Sequence, residues 1–248
     1  MTQKWSRAPK GKVTIPVQLN YENALNTIEE DGEHLKFVVI SDTHCKMEEI
    51  MARIPDGDVL IHCGDFTNSG GEAPVKEFNE QLQRLPHRWK IVIAGNHERG
   101  FDPRDKYRPE LIELLTEATY LFDSSIQING LKIYGSPWIP TPEYAFYLSP
   151  DERKSKWAQI PADVDILITH GPPLGYLDAR AKDQHYGDEQ LLEAVEQRDP
   201  KFHVFGHIHE CYGAMTNGRT IFVNAAQCDR SMQTGRLPIV FYIRIPAS

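Results

Sequence analysis

Short runs of apolar residues recur along the chain from Leu35 onward, and most of them end in polar residues. The runs are rich in β-branched residues and almost free of polar positions, which is typical of strands buried on both faces. We predict eight strands, and their sequences with flanking residues are FVVISDTH, VLIHCGD, KIVIAGNHE, LKIYGSPW, DILITHGPP, FHVFGHIHE, TIFVNAAQ and LPIVFYIRI.

Segments between these runs carry the spacing of amphipathic helices. The apolar positions of three segments are Met47, Ile50, Met51 and Ile54; Val75, Phe78, Leu82 and Leu85; and Leu191, Leu192 and Val195. A fourth segment, SPDERKSKW, begins with Ser149 and has Glu152 three positions later, which predicts a capping box. The alternation of strands and helices predicts an α/β fold with function at the carboxyl ends of the strands.

The first 34 residues lack this alternation. We predict that residues 1–34 form an N-terminal extension in which KVTIPVQL adds an edge strand, and that residues 35–248 form one domain. The composition, 40% hydrophobic and 25% charged, is that of an ordinary globular protein. The net charge of −8 argues against a long nucleic acid as partner, because such binding depends on many basic side chains.

The sequence also bears on location. No apolar run approaches the ~20 residues that a membrane helix requires, and the start MTQKWSRAPKGK lacks the apolar core of a signal peptide. The four cysteines contain no CxxC motif, which predicts neither a zinc ribbon nor a disulfide framework. We therefore expect a cytoplasmic protein with reduced thiols and no membrane partner, and a homodimer is left open.

Polar side chains with metal-binding or acid–base chemistry follow five of the predicted strands. They are Asp42 and His44; Asp65; Asn96, His97 and Glu98; His170; and His207 and His209. Each short motif is common by itself, but their joint position directly after apolar strands is not expected by chance. Because the carboxyl ends of parallel strands meet at one edge, we predict a single shared site.

The composition of this set indicates two metal ions. Four imidazoles, two carboxylates and one amide oxygen can hold two cations if one carboxylate bridges them. Asp65 is the best candidate for the bridge, since it follows a glycine that permits close approach. Mixed nitrogen and oxygen ligation favours manganese, with iron, zinc, cobalt or nickel as alternatives, over calcium. Two such cations can activate a water molecule for attack on phosphorus.

The ordered motifs D-x-H, GD, GNH[DE], H and GHxH resemble those of the calcineurin-like metallophosphoesterase superfamily. The segments ISDTH, DVLIHCGDFTNSG, KIVIAGNHE, IYGSPW, DILITHGPPLG and HVFGHIHECYG are similar to its metallophosphoesterase domain-containing branch, which is related to class III cyclic nucleotide phosphodiesterases. The resemblance runs from about Phe37 to the C-terminus. It implies a metallophosphoesterase domain built as a two-sheet β-sandwich flanked by helices, in place of one doubly wound sheet.

The resemblance also implies individual roles. The first metal would be bound by Asp42, His44, Asp65 and His209, and the second by Asp65, Asn96, His170 and His207. His97 would protonate the leaving oxygen or stabilise the developing charge, and Glu98 would hold His97 or a helix start. Some members of the branch carry glycine at the position of His207, which weakens the second site. The intact GHIH here predicts a competent two-metal enzyme.

Substrate contacts are predicted for five residues, namely Asn96, His97, Trp138, His185 and Asn224. Trp138 either stacks on a nucleobase or caps the core, and the sequence leaves both interpretations open. Asn224 ends another strand near the same face, and the resemblance implies that its loop touches a nucleotide. His185 lies in a polar segment, where it either guards a cleft or is a solvated loop histidine. Arg180 in the same segment is either a phosphate contact or a solvated side chain.

We therefore expect a metal-dependent phosphodiesterase for small phosphodiesters, such as 2′,3′- or 3′,5′-cyclic nucleotides, with Asp65, Asn96 and His97 as catalytic residues. One alternative is a phosphomonoesterase or protein phosphatase. Another is a metal- and nucleotide-binding scaffold with weak catalysis. The complete set of motifs favours an enzyme over the scaffold.

Overall fold

Alternation within a single strand assigns neighbouring residues to two different layers. In the strand His34–Ile40, Phe37 and Val39 pack into one apolar cluster, whereas Val38 and Ile40 pack into another. A strand with apolar residues on both faces must be covered on both faces. The structure, a computed structural model that describes residues 15–16, 33–181 and 184–246, shows what covers each face.

The strands form two main sheets and a small hairpin. In chain order they are β1 (Ile15–Pro16), β2 (His34–Ile40), β3 (Val59–His62), β4 (Trp89–Val92), β5 (Thr119–Tyr120), β6 (Ser124–Ile128), β7 (Leu131–Ser136), β8 (Ile166–Thr169), β9 (Ala179–Ala181), β10 (Gln184–His185), β11 (Phe202–Phe205), β12 (Gly213–Thr216), β13 (Ile221–Asn224) and β14 (Ile239–Arg244). One sheet has the order β1-β12-β13-β11-β8-β7-β6, the other β14-β2-β3-β4-β5, and β9 pairs with β10.

The two sheets pack face to face. Phe241 of β14 stacks on Phe202 of β11 with ring centroids 3.8 Å apart, so the two sheets meet directly. The outer faces are covered by helices α1 (Met47–Ile50), α2 (Glu72–Gln83), α3 (Glu110–Glu113), α4 (Pro150–Trp157) and α5 (Glu189–Arg198). The first interpretation, one doubly wound sheet, is wrong. The two-sheet sandwich implied by the resemblance is confirmed.

The eight predicted strands are all present, as β2, β3, β4, β7, β8, β11, β13 and β14. The predicted helices are also present, and Ser149 forms its capping box with Glu152. The first helix is shorter than predicted. It continues as a 3₁₀ turn, Met51–Arg53, because Pro55 disfavours a helical conformation at Ile54, whose ψ is 110°.

Several strands were not predicted. β6 pairs with β7 across a turn in which Asn129 and Gly130 have φ of 46° and 84°. An Asn-Gly pair is a strong signal for this hairpin turn, so β6 could have been found. By contrast, Ile15–Pro16 lies within KVTIPVQL, for which an edge strand was predicted, and it pairs with Met215 and Thr216 at the sheet edge. The division at residue 34 stays a prediction, because most of the extension lies outside the described residues.

The parallel strands bring their carboxyl ends to one place. β2, β3 and β4 are parallel in one sheet, and β8, β11 and β13 are parallel in the other. A bridge between Ser41 and Ala226 joins the two sheets just beyond β2 and β13. The loops that carry the predicted ligands therefore face each other across the sandwich. In the described ranges the longest helix, α2, has 12 residues, and none is long and apolar enough to cross a membrane.

A buried histidine in this core makes the protein sensitive to acid. The hydroxyl of Thr169 donates to the Gly171 carbonyl at 2.7 Å, so it accepts from Nε2 of His203 at 2.8 Å. Nδ1 of His203 is buried and has no hydrogen-bond partner among the described residues. Burial lowers the pKa of His203 from 6.5 to about 3. Because its pKa is lower in the folded state, protonation favours unfolding, and stability is lost as the pH falls from about 6.5 toward 3.

Replacing His203 by glutamine is expected to reduce this loss, because an amide nitrogen can still donate to Thr169 but does not titrate. Between pH 7 and pH 4.5 the His203 contribution should cost the wild type roughly 2–3 kcal/mol. Urea unfolding at both pH values measures the difference for each protein. An equal loss in the variant and the wild type would contradict the assignment.

Candidate metal centre

Four of the predicted metal ligands have a left-handed backbone. Asp42, His44, Asp65 and His207 have φ of 53°, 46°, 54° and 65°. Non-glycine residues seldom adopt this conformation, and they cluster at functional sites. Each follows a strand, so a sharp turn directs its side chain back over the strand ends.

The first group of possible ligands consists of Asp42, His44 and His209. Nε2 of His209 lies 3.3 Å from Nε2 of His44 and 3.2 Å from Oδ1 of Asp42. Nδ1 of His209 lies 3.1 Å from the Asp229 carbonyl oxygen, which can only accept. Nδ1 therefore carries a proton, and Nε2 is the ring atom that faces the other two side chains.

The second group lies beside the first. Nδ1 of His170 donates to the Cys63 carbonyl at 2.9 Å, so Nε2 is the ring atom that faces the cluster. That atom lies 3.0 Å from Oδ1 of Asn96 and 3.3 Å from Oδ2 of Asp65. Ligand atoms of Asp65, His170 and His207 all lie within 4.8 Å of one another.

Asp65 connects the two groups. Its Oδ2 lies 3.3 Å from His170 in one group and 3.9 Å from His44 in the other. In both groups, imidazole nitrogens converge with carboxylate or amide oxygens, and atoms of these types at such distances need a proton or a metal ion between them. Backbone carbonyls behind His170 and His209 fix the ring orientations, as is usual for metal-binding histidines. The side chains present therefore fit a dinuclear metal centre.

Two glycines make this close approach possible. A Cβ atom at Gly206 would lie 1.9 Å from Oδ2 of Asp42, and one at Gly95 would lie 2.3 Å from Oδ1 of Asp65. Any side chain at either position would displace a predicted ligand. The glycines of the GHIH and GNHE motifs thus have a steric role.

The charges of the site also favour cations. Burial raises the pKa of Asp65, but the charge of His170 and the hydrogen bond that His170 donates lower this pKa overall to about 2. Burial likewise raises the pKa of Asp42. The hydrogen bond from His209 and the charges of the nearby imidazoles outweigh burial and lower this pKa well below its usual range. Burial lowers the pKa of His170, but the two carboxylates raise it to about 9. Both carboxylates are therefore ionised at neutral pH.

His207 is a neutral imidazole. Burial lowers its pKa to about 3, and the charges of His170 and Arg180 act in the same direction. A neutral imidazole is the form that binds a metal ion.

His97 lies at the edge of the cluster. Its backbone N–H donates to Oδ1 of Asp65 at 2.8 Å, and its Nδ1 donates to the Asn68 carbonyl at 2.9 Å. The His97 and His44 rings are 4.8 Å apart in an edge-on arrangement. The bond to Asn68 leaves Nε2 as the ring atom available for proton transfer.

Glu98 holds the loops rather than His97. Its buried carboxylate accepts from the backbone N–H groups of Asp65, Gly95 and Thr67 and from the Thr67 hydroxyl, all at 2.7–2.9 Å. Burial and the charge of Asp65 raise its pKa to about 8, whereas these four donors favour the ionised form. Glu98 thereby ties the loop after β3 to the loop after β4.

A cavity of about 680 Å³ opens over the cluster. Its lining residues are His44, Asp65, Asn68, Asn96, His97, Thr141, Tyr144, Arg180, Gln184, Tyr186, His207, His209, Glu210, Arg230 and Met232. The volume is within the range of small-molecule sites, roughly 300–1,000 Å³. Asn96 and His97 line it, as predicted for substrate contacts.

Three predicted substrate contacts, Trp138, Asn224 and His185, lie outside the lining of this cavity, and their contact with substrate stays a prediction. Trp138 is 3% exposed and donates to the Asp123 carboxylate at 2.9 Å, so it caps the core. Asn224 is fully buried, and its amide donates to the Gly206 and Ile208 carbonyls, which positions the GHIH loop. Nδ1 of His185 donates to Asp178 at 2.8 Å.

Other cavity residues were missed by sequence reasoning. Tyr186, Glu210, Arg230 and Met232 have no motif that distinguishes them from surface residues. No sequence pattern identifies the backbone carbonyls that bind His170 and His209, since every residue has a carbonyl. Arg180 was named only as a possible phosphate contact.

Comparison with known proteins agrees with this geometry. The family model for calcineurin-like phosphoesterases matches residues 35–211. A UPF0046 protein of Caenorhabditis elegans is 47% identical over 230 residues, which cover 86% of this chain and 82% of that protein. The human metallophosphoesterase domain-containing protein 1 is 45% identical over 237 residues, which cover 86% of this chain and 72% of that protein.

Among solved structures, the protein TT1561 of Thermus thermophilus shares the fold with a TM-score of 0.55 and 13% identity, over 77% of this chain and 89% of that chain. At this identity only the fold is shared. The family-model match and the closely similar relatives go further, and the chain belongs to the calcineurin-like phosphoesterase family. It is therefore a metal-dependent phosphoester hydrolase.

Proposed function

We propose that this protein is a phosphodiesterase that hydrolyses small phosphodiesters, among them 2′,3′- or 3′,5′-cyclic nucleotides. The observation that carries the proposal is the position of His97 beside the bridging Asp65 on the wall of the cavity. A volume of about 680 Å³ fits a nucleotide-sized diester better than a folded phosphoprotein.

The ligand sets follow from the two groups. Asp42, His44, Asp65 and His209 would hold the first metal, and Asp65, Asn96, His170 and His207 the second. Manganese is proposed first, on the chemistry of mixed nitrogen and oxygen ligands. When bound, two divalent cations would supply Lewis-acid activation of water and neutralise charge on the phosphate.

The protein groups then perform the remaining tasks. Asn96 turns its carbonyl oxygen toward His170, which leaves its amide nitrogen to donate to a phosphate oxygen. His97 is oriented through Nδ1 by the Asn68 carbonyl. In its imidazolium form the ring also carries a proton on Nε2, which it gives to the leaving oxygen, and it is left as the neutral imidazole. A small phosphodiester is the proposed partner, while a homodimer and a cytoplasmic location stay predictions.

A manganese-loaded screen tests this proposal. We expect bis-p-nitrophenyl phosphate to be hydrolysed with a higher kcat/KM than p-nitrophenyl phosphate, and at least one cyclic nucleotide to be turned over. A preference for the monoester would favour the phosphomonoesterase or protein phosphatase. Metal binding without hydrolysis of any diester would favour the scaffold.

The matched control is His97→Asn, because asparagine can keep the hydrogen bond to the Asn68 carbonyl but lacks an atom at Nε2. Loss of a general acid is expected to lower kcat by about 100-fold or more, with unchanged metal content. Equal diesterase activity in the wild-type and His97→Asn preparations would point to a contaminating phosphatase.

A further inference from the structure

The hairpin formed by β9 and β10 provides one wall of the cavity. It contributes Arg180 and Gln184, and Tyr186 follows directly after it. None of the three is a proposed metal ligand or proton donor. The three side chains therefore line the cavity without a role in metal binding or proton transfer.

The base of this hairpin is held rigidly. The buried carboxylate of Asp178 accepts from the backbone N–H groups of Gly175 and Gly187 at 3.0 and 3.1 Å and from Nδ1 of His185 at 2.8 Å. The backbone N–H of Tyr186 donates to the Asp178 carbonyl at 3.0 Å. Both strands of the hairpin thus meet at one residue.

A second contact fixes the hairpin relative to the metal centre. The thiol of Cys211 donates to the carbonyl of Ala179 at 3.0 Å. Cys211 ends the short 3₁₀ turn His209–Cys211, which begins with a proposed metal ligand. The strand that carries Arg180 is therefore held at a set distance from the metal cluster.

The Arg180 side chain is also oriented. Its guanidinium carbon lies 4.8 Å from the centroid of the Tyr186 ring, and its Nε lies 4.0 Å from Oε2 of Glu210. The side chain is 46% exposed and lines the cavity. In the described part of the chain no second aromatic ring contacts the guanidinium. A planar cation with tyrosine on one side can accept a planar ligand on its other side.

We propose that Arg180, backed by Tyr186, is a specificity-determining residue that stacks against the nucleobase of the substrate while the phosphate lies at the metal centre. The inference rests on the proposed function, since it concerns the non-reacting part of the same substrate. Aromatic and guanidinium faces bind any base, because every base has a π-face. Gln184 also lines the cavity, and its amide, which has donors and an acceptor, is the proposed contact to the edge of the base.

Binding of two product-like probes to the manganese-loaded full chain tests the proposal. Adenosine 5′-monophosphate and ribose 5-phosphate carry the same phosphate and differ in the base. Isothermal titration calorimetry should give the wild type at least about fivefold tighter binding of the nucleotide, as one stacked base contributes. Arg180→Met should remove this preference without changing the affinity for ribose 5-phosphate.

Two further variants separate the causes. Arg180→Lys keeps the charge but not the planar face, and it should also lose the preference for the base. Arg219→Met is the charge-matched control, because Arg219 is 59% exposed and pairs with Asp199 outside the cavity lining. This control should bind both probes as the wild type does.

The outcomes are distinct. Equal binding of both probes by the wild type, or full retention of the preference in Arg180→Met, would overturn the base platform. If Arg180→Met loses the same affinity for both probes, the base platform is overturned in favour of a phosphate contact. Because these measurements need no turnover, a protein that fails the diester screen can still show the base preference, and an active diesterase can lack it.

Discussion

Replacing Asp65 by asparagine is expected to abolish phosphoester hydrolysis and to lower the manganese bound per chain. Oδ2 of Asp65 lies between the two ligand groups, 3.3 Å from His170 and 3.9 Å from His44. An amide keeps the shape of the side chain but removes the negative charge that a bridge requires. Loss of this electrostatic stabilisation should reduce kcat by at least about 100-fold. Activity assays and elemental analysis of the purified variant measure both effects.

The control for this variant is Asp163→Asn. The Asp163 side chain is 69% exposed and pairs with Lys132 on the surface, so neither metal content nor kcat should change. Circular dichroism should show the same fold in both variants. An Asp65→Asn protein with two bound metals and wild-type turnover would exclude Asp65 as the bridge.

Replacing His207 by glycine is expected to empty the second metal site while leaving the first occupied. His207 belongs to the group with Asp65 and His170, whereas Asp42, His44 and His209 form the other. We expect about half of the wild-type manganese content and a fall in kcat of at least about 10- to 100-fold, since even outer partners of metal ligands cause such losses.

The His207→Gly variant should fold as the wild type does. His207 has a φ of 65°, a left-handed conformation that glycine adopts without strain. The backbone-matched control is Asn129→Gly, because Asn129 has a φ of 46° in an exposed turn far from the ligands in sequence. Both variants should keep the wild-type thermal stability without added metal. Unchanged metal content and turnover in His207→Gly would count against a role for His207 as ligand.

The same left-handed backbone can accommodate a glycine at position 207. A chain with glycine at the His207 position would keep the loop geometry and lose only an imidazole. Loss of the second metal site therefore needs no rearrangement of the fold. In this chain the imidazole is present, and burial keeps it neutral with a pKa of about 3.

Much of the structure could be predicted from local patterns. The eight apolar runs are strands because β-branched residues without polar interruptions fit a sheet that is covered on both faces. Ser149 and Glu152 cap α4 through contacts three residues apart, so the signal is local. The convergence of Asp42, Asp65, Asn96 and His170 was predicted from the rule that parallel strands share a carboxyl edge.

Other features depend on contacts between distant residues. Trp138 follows a strand that ends near the site, yet its indole turns into the core and donates to Asp123. Asn224 also ends a strand, but its amide faces the carbonyls of the GHIH loop. Position after a strand brings a residue to the correct edge, and packing decides which way the side chain points.

By itself, the sequence determined the strands and the side chains able to bind metals, because period-two patterning and ligand chemistry are properties of short segments. Tertiary structure decided whether the strands form one sheet or two, since an apolar strand needs cover on both faces from either helices or a second sheet. It also decided which ring nitrogen of His170 and of His209 faces the cluster, because the carbonyls of Cys63 and Asp229 bind the other nitrogen. The position of the wall that carries Arg180 depends in the same way on the Ala179 carbonyl, which accepts from the Cys211 thiol. Backbone carbonyls are common to every residue, and only the fold selects those that face a histidine or a thiol.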